Sequence, residues 1–159
     1  MAEINVRIAG REDIPKILYF IKQLAEYERM ADQVVADEAL LEDQLYEKGR
    51  AEVLFVSVDG VERGFALFFH NFSTFLGRAG IYLEDLYVEP EARGMGCGKA
   101  LLKALADIAL ERQCGRIEWC CLNWNTPSID FYRSIGAESM DDWTTFRVAG
   151  DGIRKLAEM

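Results

Sequence analysis

Six residues, Arg93-Gly94-Met95-Gly96-Cys97-Gly98, restrict this chain more than any other segment, because alternate glycines stand between a strand-like run and a helix-like run. On one side, Ile81 to Val88 is apolar on both faces except at Glu84 and Asp85, which predicts a central strand covered from both sides. On the other, Lys99 to Arg112 carries Leu101, Leu102, Leu105, Ala106 and Ala109 at helical spacing. A strand, a glycine turn and a helix in that order bring several backbone N–H groups to a helix N-terminus, where an anion is held by backbone dipoles. The glycines remove the Cβ atoms that would keep the anion at a distance.

The rest of the chain builds an α/β domain around this unit. Ile4 to Ala9 alternates as a short strand, and Glu12, Asp13 and Pro15 open a helix whose apolar face is Ile14, Ile17, Leu18, Ile21, Leu24 and Ala25, ending near Met30. A second helix is expected from an Asp37 N-cap to Lys48, with Leu40, Leu41 and Leu45 inward. Val53–Val58 and Gly64–Phe72, joined at Asp59-Gly60, read as a hairpin. After the glycine loop and its helix come an expected strand at Arg116–Leu122, a helix at Asn125–Ile135, a strand at Thr144–Val148 and a terminal helical turn at Gly152–Glu158. No repeat or low-complexity segment interrupts the order, so residues 1–159 are expected to form a single domain, a mixed sheet with helices on both faces.

Charge removes several functions. Eighteen Lys and Arg against 27 Asp and Glu leave a net charge of −9, so there is no basic field for a nucleic acid and no nucleic-acid partner is expected. No apolar run approaches the roughly 20 residues that cross a bilayer, and the first residues lack the pattern of a secretory signal, so a cytoplasmic protein with no membrane partner is expected. The cysteines, Cys97, Cys114, Cys120 and Cys121, match neither a disulfide framework nor a zinc pattern and read as free thiols. His70 is the only histidine, which excludes a multi-histidine metal site; no metal is expected, and a structural role suits it.

Spacing separates the phosphate-binding loops that this turn could be. A nucleotide-triphosphate loop needs Ser or Thr after Gly-Lys, whereas Gly98-Lys99 is followed by Ala100, and Arg93 stands where its first glycine belongs. A dinucleotide turn needs GxGxxG and an acid at the end of the next strand, and neither is present. The remaining pattern, Arg-x-x-Gly-x-Gly after Leu86-Tyr87-Val88, resembles the acetyl-CoA loop of the GCN5-related N-acetyltransferase (GNAT) family. The resemblance implies that fold: a mixed, mostly antiparallel sheet with a splay between two central strands. It also implies that the loop from Arg93 through Gly94, Met95, Gly96, Cys97 and Gly98 to Lys99 holds the pyrophosphate of acetyl-CoA. Leu86, Tyr87 and Val88 would line the pantetheine.

Asn125-Thr126-Pro127-Ser128-Ile129-Asp130-Phe131-Tyr132 supplies a second part of the same pattern. Asn125 is a good N-cap, and Tyr132, seven residues on, lies two turns along the same face, about 10 Å away. Asn125, Ser128 and Tyr132 can then flank the pantetheine arm, with the Tyr132 hydroxyl as acid toward the departing thiolate. Glu84 is the candidate base, directly or through water; Asp85, on the opposite face by alternation, suits a cap or salt bridge as well as catalysis.

Tyr82 to Val88, Asn123-Trp124-Asn125, Trp143 and Tyr27-Glu28 resemble the diamine acetyltransferases (spermidine/spermine N1-acetyltransferases) along essentially the whole chain. Phe72-Ser73-Thr74-Phe75 and the ending Ile153 to Ala157 are more similar to the thialysine N-acetyltransferase branch. Polyamine-preferring members carry an acid at the place of Ser73, so thialysine and related short amino acids become the expected small-molecule amines. Tyr27, Glu28, Phe75, Asp85, Glu118, Trp119 and Trp143 are the residues that the resemblance sets around the amine, and it implies a homodimer. Polyamine or protein acetylation, or an idle CoA-binding module, remain the alternatives.

Overall fold

The computed structural model describes residues 1–159 in two compact units, Met1–Cys120 and Cys121–Met159. The first holds one five-stranded sheet in the order β1-β2-β3-β4-β5. The strands are β1 (Ile4–Ile8), β2 (Glu52–Val58), β3 (Val61–Ser73), β4 (Arg78–Val88) and β5 (Ile117–Trp119), with every pair antiparallel except β4 with β5. Asp59 and Gly60 both have positive φ, 50° and 84°, the geometry whose twist suits a two-residue hairpin turn.

Helix α1 (Ile14–Tyr27) packs one sheet face. Its Ile14, Ile17, Phe20 and Leu24 meet Val53, Phe55, Phe65 and Tyr87, which come from alternate positions of the strands. Phe20 is fully buried and lies nearly parallel to Phe65, with ring centroids 5.7 Å apart. The intervening sheet residues Leu54, Val56, Ala66, Phe68 and Leu83 are also buried, and helix α3 (Cys97–Glu111) covers that face with Leu101, Leu105 and Ala109.

Several elements differ from the sequence expectation. The segment expected as one helix over 37–48 is capped by the Asp37 side chain, which accepts from the Leu40 amide, but it is split into α2 (Glu38–Leu41) and a π-helical stretch, Glu42–Glu47. There Lys48 donates to the carbonyl of Asp43, five residues back. α1 ends at Tyr27, where Arg29 adopts φ 61° and Met30 donates back to Ala25, a left-handed stop that the side-chain pattern does not announce.

The strand expected over 116–122 is cut to Ile117–Trp119, so β5 leaves β4 after Leu83↔Trp119. The expected splay therefore lies between β4 and β5, with β5 as an edge strand rather than a central one. The strand expected over Thr144–Val148 does not form: no ladder partner takes its N–H and C=O groups, and Phe146 is 91% exposed.

The second unit contains α4 (Thr126–Ser134) and α5 (Asp151–Ala157). No helix anywhere in the chain is long and apolar enough to cross a membrane.

The core should discriminate sharply between its aromatic side chains and the exposed ones. Phe20→Ala should lower the unfolding free energy by about 3–5 kcal/mol, and Phe146→Ala by no more than about 0.5 kcal/mol, both read from urea unfolding.

Candidate functional site

The expected alternation of Glu84 and Asp85 fails, and the reason is a β-bulge. Phe68 faces Leu83 and Leu67 faces Asp85 across the β3–β4 ladder, so Glu84 is an extra residue with no cross-strand partner. Leu67 and Phe68 are neighbours and point to opposite faces. Asp85 is therefore turned off the face of Leu83 and onto the face of Tyr82 and Tyr87, the side covered by α1. The same extra residue stands where the β4–β5 ladder stops, and β4 keeps an edge with no strand partner from Glu84 to Val88.

Glu28, the C-cap of α1, joins Glu84 and Asp85 in an electrostatic cluster. Burial, then the charge of Glu84, then that of Glu28 push the Asp85 carboxyl up to about 7. Burial and Glu84 raise Glu28 as well. Glu84 itself is exposed. A group of carboxylates of this kind attracts cations.

Tyr27, the last residue of α1, sits edge-on to Tyr87 at 6.4 Å, and the Arg93 guanidinium lies over both rings, 4.9 Å from Tyr27 and 5.6 Å from Tyr87. Arg93 Nε also donates to the carbonyl of Val88 at 2.9 Å. The arginine side chain thus braces the entry of the glycine loop against β4 and α1. Beside it opens a cleft of about 390 Å³, whose lining includes Tyr19, Gln23, Tyr87 and Glu89. Glu89 is only 8% exposed; it accepts from the Tyr19 hydroxyl at 2.9 Å and from Arg63 at 3.2 Å. Sequence reasoning missed Tyr19 and Glu89, because an acid before a proline looks the same whether it is buried or hydrated.

The glycine loop has the expected form. Gly94 and Gly96 take φ 80° and 91°, a region in which a side chain is strained. The helix begins at Cys97 rather than Lys99, so the N–H groups of Cys97, Gly98 and Lys99 precede the first helical bond, from Ala100 to Gly96. These donors can cradle an anion. Met95 and Lys99 are exposed, whereas the Cys97 side chain is 1% exposed with its thiol raised by burial, so only its backbone serves the loop.

The remaining candidates in the first unit fall apart from this cluster in their contacts. Phe75 is fully exposed at the β3–β4 turn. Glu118 pairs with Arg116 at 3.1 Å and accepts from Asn71 at 3.0 Å, and Trp119 is partly buried at the end of β5. Tyr82 meets Cys120 at 3.0 Å. His70 Nδ1 contacts the Gly80 carbonyl at 3.0 Å and its Nε2 meets Arg112 at 2.9 Å, which suits the structural role expected of it.

In the second unit, Asn125 is buried and caps α4 by accepting from the Ser128 amide at 3.4 Å, as its position predicts. Tyr132 is partly buried beside Phe131, with ring centroids 5.6 Å apart. Trp143 is 78% exposed, with its amide donating to Met140.

Comparison with known proteins bears on this arrangement. Residues 19–137 match the family described as Acetyltransferase (GNAT) family. A thialysine N-epsilon-acetyltransferase from Bos taurus is 37% identical over 171 aligned residues, covering 99% of each chain. An L-ornithine N5-acetyltransferase from Arabidopsis thaliana is 38% identical over 64% of this chain and 44% of its own. Among solved structures, an integron cassette protein from V. cholerae superposes with a TM-score of 0.80 at 28% identity, covering 98% of both chains.

The open space around Gly96 makes a clean test of the loop, since an added Cβ meets nothing within 4 Å and the penalty is backbone strain alone. Gly96→Ala should weaken CoA binding about tenfold, from a strain of roughly 1–2 kcal/mol, as read by titration calorimetry.

Proposed function

The chain belongs to the GNAT acetyltransferase family, whose members use acetyl-CoA, and we propose that it acetylates the primary amine of a short amino acid, thialysine or a close analogue. The observation that carries this reading is the carboxylate cluster at the β4 bulge, on the strand that leads into the N–H-lined glycine loop. Glu84 is four residues before Val88, about 13 Å along the strand, so one strand serves both an amine and an anionic coenzyme. The loop fits a pyrophosphate because its free N–H groups lie where glycines leave the approach open.

When bound, acetyl-CoA supplies an activated thioester. The residues assigned to it are Leu86, Tyr87 and Val88 on β4, the loop from Arg93 to Lys99, and Asn125 and Ser128. Glu28, Glu84 and Asp85 draw in the ammonium, with Tyr27, Phe75, Glu118, Trp119 and Trp143 as its further surroundings. An amine of pKa near 10.4 costs about 4.6 kcal/mol to deprotonate at pH 7, so a carboxylate of β4 must accept its proton; Glu84 is the assigned base. Tyr132 serves the other end, hydrogen-bonding to the leaving thiolate. Full proton transfer from a tyrosine near 10 to a thiol near 8.5 is uphill by roughly 2 kcal/mol, so sharing the proton suffices.

Ser73 supports the choice of a short amine over a polyamine. It is 5% exposed and its Oγ accepts from the Leu76 amide at 3.2 Å, so it offers no carboxylate for a second ammonium. A two-fold homodimer in the cytoplasm completes the reading.

Release of CoA thiol with acetyl-CoA and thialysine, lysine, ornithine, spermidine, spermine or a lysine peptide tests the assignment. Turnover is expected to be highest with thialysine; no turnover on any of the panel, with CoA still bound, defeats it. Tyr132→Phe should lower kcat about 100-fold with little change in the acetyl-CoA KM, and full retained turnover removes Tyr132 from the mechanism.

A further inference from the structure

Upstream of the bulge, on the α1 face of the sheet, β3, β4 and β5 bring a second polar group together. Glu118 stands beside Tyr82 across the β4–β5 ladder, and Arg116, two residues earlier, shares its face. One carboxylate oxygen, Glu118 Oε1, meets Arg116 Nε at 3.1 Å and accepts from Asn71 Nδ2 at 3.0 Å. Gly80 makes room for them. A Cβ there would stand 2.5 Å from Asn71 Oδ1 and 3.3 Å from Arg116 Cγ, so the arginine stem lies over bare backbone. The same Asn71 oxygen is buried without a hydrogen-bond partner, an acceptor open to an N–H donor. Arg116 and Glu118 themselves keep 41% and 36% of their side chains exposed. Because the pair meets through Nε and one oxygen, the guanidinium retains further N–H donors, and the carboxylate a second oxygen, for a ligand.

Tyr82 links this pair to the bulge. The charges of Glu84 and Glu118 both act on its hydroxyl, and Phe69 lies against its ring with centroids 5.3 Å apart. Both rings are partly exposed. They separate a charge-balanced pair at one end from the carboxylates of Glu84 and Asp85 at the other, two to three residues further along β4, about 7–10 Å.

We propose that Arg116 and Glu118 bind the head of the substrate, its α-carboxylate on Arg116 and its α-ammonium on Glu118. The side chain of the substrate then lies over Tyr82 and Phe69, and the reacting amine reaches Glu84 and Asp85. The proposal rests on the acetyltransferase reading above and specifies its substrate class: an α-amino acid with an amine at the end of its side chain.

Charge separates this class from its rivals. A diamine or polyamine presents a cation at each end and fits carboxylates at both, whereas Arg116 at the second place repels one. A zwitterionic head carries one charge of each sign side by side, which matches an arginine next to a glutamate. Length agrees: five bonds separate the terminal nitrogen of thialysine from its α-carbon, about 6 Å when extended, and the arginine side chain spans the remainder. The sulfur, midway, falls over the two rings, a favourable contact for a thioether. An ion pair of this exposure adds little to folding, so stability does not account for the strand glycine beneath it.

Two analogues test the head group in the parent protein. The thioether diamine is thialysine without its carboxylate, and the thioether acid is thialysine without its α-amine; both keep the reacting amine and the sulfur. Followed as release of CoA thiol, kcat/KM should fall about 100-fold for the diamine and about tenfold for the acid. Arg116→Gln should raise the KM for thialysine about 100-fold with kcat nearly unchanged, and should leave turnover of the diamine at or above that of the parent. Equal turnover of thialysine and the diamine by the parent overturns the proposal. So does an Arg116→Gln protein that loses both substrates to the same extent or keeps its preference for thialysine. If the parent turns over no amine, the acetyltransferase reading fails, and calorimetric titration with thialysine decides the subsite by itself. It stands if Arg116→Gln abolishes binding, and falls if binding persists there or is absent from the parent.

Discussion

The β4 bulge at Glu84 is the constraint on which the first unit depends. β4 is buried on both faces, so its side chains must satisfy α1 and α3 at once, and a strict period of two would leave Leu83, Asp85 and Tyr87 on one face. The extra residue changes that parity in mid-strand. It leaves Ile81 and Leu83 on the α3 side with Phe68 and sends Asp85 and Tyr87 to the α1 side with Leu67 and Phe65. The same residue coincides with the end of the β4–β5 ladder, so one irregularity repositions a carboxylate and frees a strand edge.

That arrangement opposes stability, because the carboxylates of Glu28, Glu84 and Asp85 repel one another, and the burial of Glu28 and Asp85 adds to the penalty. The opposing contribution comes from the packing on either side of the bulge. Phe20 on Phe65 and Phe55, and Tyr87 within the same core cluster, hold β4 against α1 while Glu28 is brought to its C-terminal end. Glu89 secures the next stretch through Tyr19 and Arg63, and Arg93 secures the loop through Tyr27. A rigid frame of this kind lets unfavourable charge persist at the bulge, where the proposed reaction receives its amine.

The sequence made some of this legible and hid the rest for identifiable reasons. Asp59-Gly60, Gly94, Gly96 and the Asn125 cap were readable because each depends on what one residue's backbone or short side chain can do locally. The bulge was not: Leu-Glu-Asp-Leu carries no mark of an extra residue, which exists only in the register against Leu67 and Phe68. Likewise Thr144–Val148 has the alternation of a strand, yet a strand needs a partner, and none is paired with it. The π-helical Glu42–Glu47 keeps Leu41 and Leu45 buried at helical spacing, so its wider hydrogen bonding left no trace in the pattern.

Net charge was the most misleading of the global quantities. A chain at −9 would repel an anionic coenzyme if side chains had to bind it. Here the one arginine at the loop is spent on two tyrosine rings and a carbonyl, and the anion-binding capacity resides in the N–H groups of Cys97, Gly98 and Lys99. Backbone dipoles carry no formal charge and do not enter the count. In the proposed reaction the two halves are thus separated by the kind of charge they use: fixed dipoles at a helix start for the coenzyme, titratable carboxylates at a bulge for the amine. Because only the second kind changes with protons, the amine half of the proposed reaction is where pH can act, and burial and mutual repulsion raise both Asp85 and Glu28 there.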